Sequence, residues 1–381
     1  MTGTFTGTKN FDPSDGEDWH GTPYESRIFV TKLGPDGSYT WTRSFAATSS
    51  GSLRSSEGIA VEAFGDIVVT GSFDRTRDFD PTDGTDCHSC NGSRDVFVTK
   101  LSPNGDYCWT RTFGAKGIER ARDLAVDHKD NIFVVGHFDD YGQATPYIVD
   151  FDPTVGVDFH VCHTGPDAFV TKLRDDGSYV WTLTIASLAA LPRGIFGAQE
   201  YAEAVTIDEA GNPLIIGTFA STWPVDCDPT HGTDWRVGGD LFVTRLHADG
   251  SYAWTAVISG SDRFEAYDLA VDHQGNVFLG GEFGGTADLD PTDGEDQYST
   301  GDKYLGFITK IERGAVPFII ADADHDAHVR FSDLDALACH WLDVDCQNHK
   351  WCDWADFNRN TKVDFADFAI LTEYWLSGFT Y

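Results

Sequence analysis

Positive charge is scarce in this chain. Its 381 residues carry 27 Lys+Arg against 61 Asp+Glu, a net charge of −34, and a field of that sign repels phosphates and anionic membrane surfaces. Nucleic acid is thereby excluded as a partner. No run of 18 or more apolar residues occurs, so no membrane-spanning helix is expected. The start, Met1-Thr-Gly-Thr-Phe5, lacks the basic and apolar regions of a signal peptide, so a soluble, processed form or fragment is expected. A Gly-rich phosphate loop, a nucleophile elbow and a His-Glu metal helix are also missing, which removes the chemistries they serve. Asp, by contrast, is abundant and clustered. Hard divalent cations are held by such oxygen ligands, which makes calcium the first cofactor to test.

One tract returns five times: Phe11 to Asp18, Phe79 to Asp86, Phe151 to Asp158, Cys227 to Asp234 and Leu289 to Asp296. Its Asp-Pro markers at 12, 80, 152, 228 and 290 are separated by 68, 72, 76 and 62 residues. Those intervals suit a four-stranded sheet with one long loop. Period-2 segments supply the strands. A first strand (Gly58 to Glu62, Asp123 to Asp127, Ala204 to Asp208, Asp268 to Asp272) turns through Gly65-Asp66, Asp130-Asn131, Gly211-Asn212 or Gly275-Asn276 into a second such as Ile132 to Gly136. A third strand (Ile28 to Leu33 and its copies) turns through Asp36-Gly37, Asn104-Gly105, Asp176-Gly177 or Asp249-Gly250 into a fourth with Tyr39-Thr-Trp41. The fold expected is mainly β, a five-unit β-propeller over residues 1–315 with a small helical domain behind it.

The tracts Asp95-Val-Phe-Val-Thr-Lys-Leu101, Tyr107-Cys-Trp109, Ala125-Val-Asp127 and Asn131-Ile132 resemble the bacterial β-propeller repeats called SBBP, in the variant with Asp-Phe-Asp-Pro in the long loop. That resemblance covers about residues 1–312 and implies an extracellular or cell-surface protein. Unit 1 begins at its second strand (Thr2 to Phe5) and unit 5 stops after its third. An open ring leaves unpaired strand edges, so Pro317 to Asp322 is expected to close it, residues 316–321 being a linker or ring-closing strand. The rivals are blades lost upstream and a strand donated by a neighbouring molecule.

After residue 321 the pattern changes. Asp322, Asp324, Asp326 and Asp333 place oxygen ligands at loop positions 1, 3, 5 and 12, with His328 offering a carbonyl at position 7. Asp356, Asn358, Asn360, Lys362 (carbonyl), Asp364 and Asp367 repeat that spacing. Each loop precedes an amphipathic stretch, Leu334/Leu337/Ala338/Trp341 and Phe368/Leu371/Trp375. The pair resembles a type I dockerin, and Asp356 to Leu376 resembles tails common in Planctomycetes. Residues 322–381 are thus expected to form a calcium-ordered module. The resemblance implies a protein partner, a cohesin-like module or copies of the chain itself. Ala327 and Thr361 stand where Gly is usual in such loops, and Phe331-Ser332 and Phe365-Ala366 occupy the positions that touch cohesin in the family.

For the recurring tract two readings stay open. Asp12, Asp15 and Asp18; Asp78, Asp80, Asp83 and Asp86; Asp150, Asp152 and Asp158; Asp226, Asp228 and Asp234; and Asp288, Asp290, Asp293 and Asp296 either hold calcium at each rim or make Asx-type turns. Disulfides are expected between Cys346 and Cys352 and between Cys87 and Cys90. Trp41, Trp109, Trp181 and Trp254 recur, as packing residues do. Trp19 and Trp235 are candidates to touch a glycan. Catalysis needs residues that break the symmetry. Glu57, Asp123, Glu200, Glu203, Glu265 and Asp268, near the first strands, are the acids placed to line a funnel, and no pair among them stands out. A non-enzymatic binding or assembly component is therefore expected. Its rivals are a self-assembling fibre or coat and a tethered carbohydrate-active enzyme.

Overall fold

Alternating β-branched and aromatic residues, broken every few positions by Gly-containing turns, build the chain as antiparallel hairpins. The computed structural model describes residues 1–45, 55–139, 147–162, 165–186, 199–219, 225–230, 232, 234–236, 240–262, 264–291 and 296–312. The expected tail 322–381, the 316–321 segment, Asp293 and the Cys346–Cys352 pair lie outside them. The described residues are all strand and turn, without a helix.

Sheet order follows chain order. The first sheet joins Thr2–Thr6, Ser26–Leu33 and Tyr39–Phe45. The second joins Ser55–Val61, Ile67–Phe73, Asp95–Leu101 and Tyr107–Phe113, and the third Ile118–Val126, Ile132–Asp139, Asp167–Leu173 and Tyr179–Ile185. The fourth joins Glu200–Ile207, Pro213–Phe219, Leu241–Leu246 and Tyr252–Gly260. It runs into a fifth set, Phe264–Val271, Val277–Asp288 and Gln297–Ile311, through the pairs Ser259↔Asp288 and Gly260↔Ala287. The turn glycines the sequence marked, Gly65, Gly211 and Gly275, adopt φ of 84° to 89°, a region closed to most side chains.

Successive sheets share their cores. Ile28, Val30 and Phe45 of the first pack with Ile67, Val69, Phe73 and Phe97 of the second. Val96, Val98 and Phe113 of the second meet Ile132, Val134, Phe138 and Phe169 of the third. Phe133, Val135 and Ile185 of the third meet Val205, Ile215 and Phe242 of the fourth. The second and third strands therefore face apolar neighbours on both sides, and Ile67–Phe73 and Asp95–Leu101 are buried at every residue. First strands of consecutive sheets also pack against one another in succession.

The recurrent Trp and Lys positions join one sheet to the next. Trp41 and Arg43 cover the turn of the second sheet: Arg43 Nε donates to Gly105 O at 2.8 Å, and Trp41 Nε1 to Pro103 O at 3.3 Å. Arg111 Nε donates to Gly177 O at 3.0 Å, and Trp109 Nε1 to Asp175 O at 3.1 Å. A Cβ on Gly105 or Gly177 would lie within about 3.2 Å of these rings, so the joint requires glycine there. Lys32 and Lys172 donate to the carbonyls of Pro103 and Ala248, at 2.8 and 2.5 Å.

Candidate functional site

The acids of the rim loops are the most regular feature of the sequence. Phe79, Phe151 and Cys227 are fully buried, so each loop is pinned into the core between its flanking acids. The head residue (Asn10, Asp78, Asp150, Asp226, Asp288) accepts two backbone amides through Oδ1. One comes from the Asp two residues on, at 3.1 Å, and one from the Asp eight residues on, at 2.8–2.9 Å. Asp12, Asp80, Asp152 and Asp228 accept the amide and hydroxyl of Ser14, Thr82, Thr154 and Thr230. A Cβ on Gly16, Gly84, Gly156 or Gly232 would sit 2.0–2.2 Å from the other oxygen of that carboxylate, which explains the glycine of the tract. The last acid is held by a tyrosine hydroxyl: Tyr39 on Asp18, Tyr107 on Asp86, Tyr179 on Asp158 and Tyr252 on Asp234. His20, His88 and His160 lie 3.1 Å from the same carboxylates, and Arg236 Nε lies 2.8 Å from Asp234.

Calcium takes six to eight oxygens. The head and Asp-Pro acids spend one carboxylate oxygen each on chain donors, Asp15 and Asp83 stand exposed, and among the described residues no rim brings three acid ligand atoms within 4.8 Å of one another. The Asx-turn hydrogen bonds of the second reading are present at all five rims. The cysteines Cys87 and Cys90 are both free thiols. They lie three apart on extended backbone and so face opposite ways, with Cys90 Sγ donating to Asp95 Oδ1 at 3.2 Å.

The first strands carry what the rims lack, residues that differ from sheet to sheet. All four complete first strands hold a β-bulge at one equivalent place, between Ser56/Gly58, Ala121/Asp123, Ala202/Ala204 and Ala266/Asp268. The extra residues are Glu57, Arg122, Glu203 and Tyr267. Bulges re-aim a side chain and are enriched beside functional sites. Arg122 Nε lies 3.4 Å from Glu203 Oε2, and Asp123 Oδ2 accepts the Val205 amide at 3.0 Å. Burial pushes Asp123 up to about 6, with Asp268 adding to it. Burial likewise raises Glu203, against the pull of Arg122 and with help from Glu265 and Glu57. Glu57 and Glu203 belong to the second and fourth sheets, Asp123 and Asp268 to the third and fifth. These influences link acids of the second and fourth sheets, and of the third and fifth. His137 lies edge-on to Tyr201 (ring centroids 4.7 Å). Burial, with Arg122, Arg120 and Arg94, holds that imidazole well below its ordinary pKa.

Five of the six acids marked from the sequence thus meet on or beside the bulges. The sixth, Glu200, is fully buried. Sequence reasoning did not find Arg122 or Tyr267. The available signal was the break in alternation at the same point of every first strand. One further cluster went unmarked. Glu62, Asp66 and Asp175 place carboxylate oxygens within 4.8 Å of one another, and Lys100 Nζ sits among them.

Against known proteins, no family profile matches the chain. An uncharacterized WD repeat-containing protein of Acanthamoeba polyphaga mimivirus is 23% identical over 237 residues, covering 55% of this chain and 16% of that protein. This chain therefore spans less than a fifth of its relative's length. What the two share is a repeat-based, β-propeller-like architecture. A crystal structure of a protein of unknown function from Bacteroides caccae aligns over 82% of this chain and 73% of that one, at a TM-score of 0.33 and 8% identity, a level that carries no argument.

Proposed function

We propose that the chain is a non-enzymatic binding and assembly component of an extracellular or cell-surface complex. In this reading a five-unit propeller presents a ligand site on its inner strands. A calcium-ordered, dockerin-like tail attaches it to a cohesin-like module or to further copies of itself. The observation that carries the binding reading is the division of labour between rims and first strands. The rims repeat one internally satisfied network, and the singular polar residues Glu57, Arg122, Glu203 and Tyr267 stand at one equivalent bulge position. Fold alone does not assign function, but polar groups re-aimed by bulges into one lumen can hold a hydroxyl-rich or charged ligand, a glycan among them. Calcium is proposed for the two tail loops, Asp322 to Asp333 and Asp356 to Asp367, where it offsets carboxylate repulsion and couples folding to docking.

Calorimetric titration of the full chain with calcium tests the tail. Two strong sites are expected, both lost in Asp322→Ala/Asp356→Ala. Uptake unchanged in that double variant places the ions elsewhere and sinks the tail reading. A second reading, a carbohydrate-active enzyme, is favoured by the bulge-flanking Asp123, which burial raises with Asp268 adding to it. Turnover of a glycan panel that vanishes in Asp123→Asn would establish it in place of the first.

A further inference from the structure

The junctions among the first four sheets follow one plan with one departure. At the equivalents of Lys100, Lys32 and Lys172 reach turn carbonyls, and Arg245 Nη2 lies 2.8 Å from Asp208 Oδ2. The end of the first strand carries Asp127, Asp208 or Asp272, each accepting amides of its own turn and the side chain of Asn131, Asn212 or Asn276. At the junction of the second and third sheets all of this changes together. Glu62 replaces the Asp, Asp66 replaces the Asn, and the turn of the third sheet offers Asp175 where other turns offer Pro103 or Ala248.

These three acids close around one amine. Lys100 Nζ, on a side chain only 6% exposed, touches Asp175 Oδ1 and lies 2.5 Å from Glu62 Oε2 and 3.1 Å from Asp66 Oδ2. The Glu62 side chain is 2% exposed, and its second oxygen, Oε1, is buried without a hydrogen-bond partner among the described residues. A buried carboxylate with one idle oxygen is costly as a mere ion-pair member, but it suits a group that takes and returns a proton. The reacting turn is also fixed in place: Trp109 Nε1 holds Asp175 O at 3.1 Å, and Arg111 holds Gly177 O at 3.0 Å. Such fixing turns a bimolecular encounter into a near-attack geometry.

We propose that Lys100 and Asp175 join through an isopeptide bond that forms within the folded chain, with Glu62 as the proton carrier. The ammonium of Lys100 gives one proton to Glu62, and the freed amine attacks Asp175 Cγ, forming the C–N bond. Glu62 returns that proton to the departing Asp175 oxygen, a second nitrogen proton follows by the same route, and the C–O bond breaks. Ammonium plus carboxylate become amide plus one water, with no outside reagent and Glu62 unchanged. The water leaves by the open side of Asp175, which is 57% exposed. Asp66 steadies the charge on Lys100 before the step. Burial pushes the Glu62 carboxyl up to about 7, which suits a group that both takes and gives. Burial works against the charge on Lys100, but contacts with Asp175, Glu62 and Asp66 outweigh it and raise its pKa, so the proton transfer to Glu62 is the demanding part. Where the turn carries Pro103 or Ala248 there is no carboxyl to attack, so the bond belongs to this junction alone.

The experiment is the intact mass of the purified full chain, followed by tandem mass spectrometry of its digest. The wild-type chain should be lighter than its sequence by one water, and a branched peptide should join Lys100 to Asp175. Glu62→Gln, folded by circular dichroism, should recover the full mass. Should that variant not fold, Asp175→Asn decides the matter, because its bond releases ammonia in place of water and gives a different, predictable mass. A wild-type chain at full mass overturns the proposal. So does a water loss that maps to cyclisation of Asp176-Gly177, or a branched peptide that persists undiminished in Glu62→Gln.

Discussion

Replacing Glu119 by Gln should change how stability responds to pH. Glu119 is the second residue of the strand Ile118–Val126 and is fully buried. Its Oε1 accepts the Tyr147 hydroxyl, and its Oε2 accepts the Ala115 amide at 2.9 Å. Asp95, also buried, lies just across Gly114, where a Cβ would fall 2.5 Å from one carboxyl and 2.7 Å from the other. Burial first, with Asp95 and Asp139 adding to it, raises Glu119 from 4.5 to about 8. Below 4.5 the carboxyl is protonated in both folded and unfolded chains, and it adds no pH dependence. Between 4.5 and 8 the unfolded chain releases a proton that the folded chain keeps, so stability falls as pH rises, and the loss is complete above about 8. The shift corresponds to roughly 4 to 5 kcal/mol across that window. Glu119→Gln keeps an acceptor for Ala115 and does not titrate. At pH 5 it should be less stable than the wild type by about 1 kcal/mol, through altered hydrogen bonding. By pH 8 to 9 the order should reverse, with the variant ahead by several kcal/mol. Urea denaturation of both chains at half-unit pH steps gives the difference curve. Parallel curves from pH 5 to 9 would refute the argument, since every other titrating group is common to both.

Gly84→Ala drives a methyl group into the Asp80 carboxylate and opens the Asx turn, so a loss of roughly 1 to 3 kcal/mol is expected in thermal unfolding; an unchanged midpoint would mean the loop is not held as described. Trp109→Ala removes both the indole cover of Gly177 and its stacking with Arg111, 5.4 Å from the ring, and should cost roughly 2 to 4 kcal/mol in denaturant titration. Chelation of calcium in the full chain should expose sites after residue 321 to protease before any rim loop is cut. A digestion pattern indifferent to EDTA would remove the proposed link between metal and tail.

Much of this architecture is written locally. Val-Phe-Val-Thr-Lys-Leu alternation ending in Asn104-Gly105 specifies both a strand and its turn, because side-chain direction and positive φ are short-range properties. The rim tract was ambiguous for an equally local reason: Asp before Pro and Gly serves a turn and an ion alike. Only the third dimension shows that Asp80 Oδ1 is already taken by Thr82. Two features lay beyond local reading. A bulge at Arg122 looks in sequence like a lapse in alternation. The cage around Lys100 depends on Asp175, 75 positions away, where only the stacking of one sheet on the next supplies the contact.

The joint between sheets is made largely by donors aimed at main-chain carbonyls, such as Arg43 on Gly105 and Arg111 on Gly177. A carbonyl is offered by every amino acid, so the receiving turn constrains little beyond one glycine. Modules connected in this way are interchangeable: duplication or loss of a whole unit leaves a compatible seam on either side. Arrays of differing lengths are therefore within evolutionary reach by copying of whole units, the apolar faces that successive sheets share being copied with them.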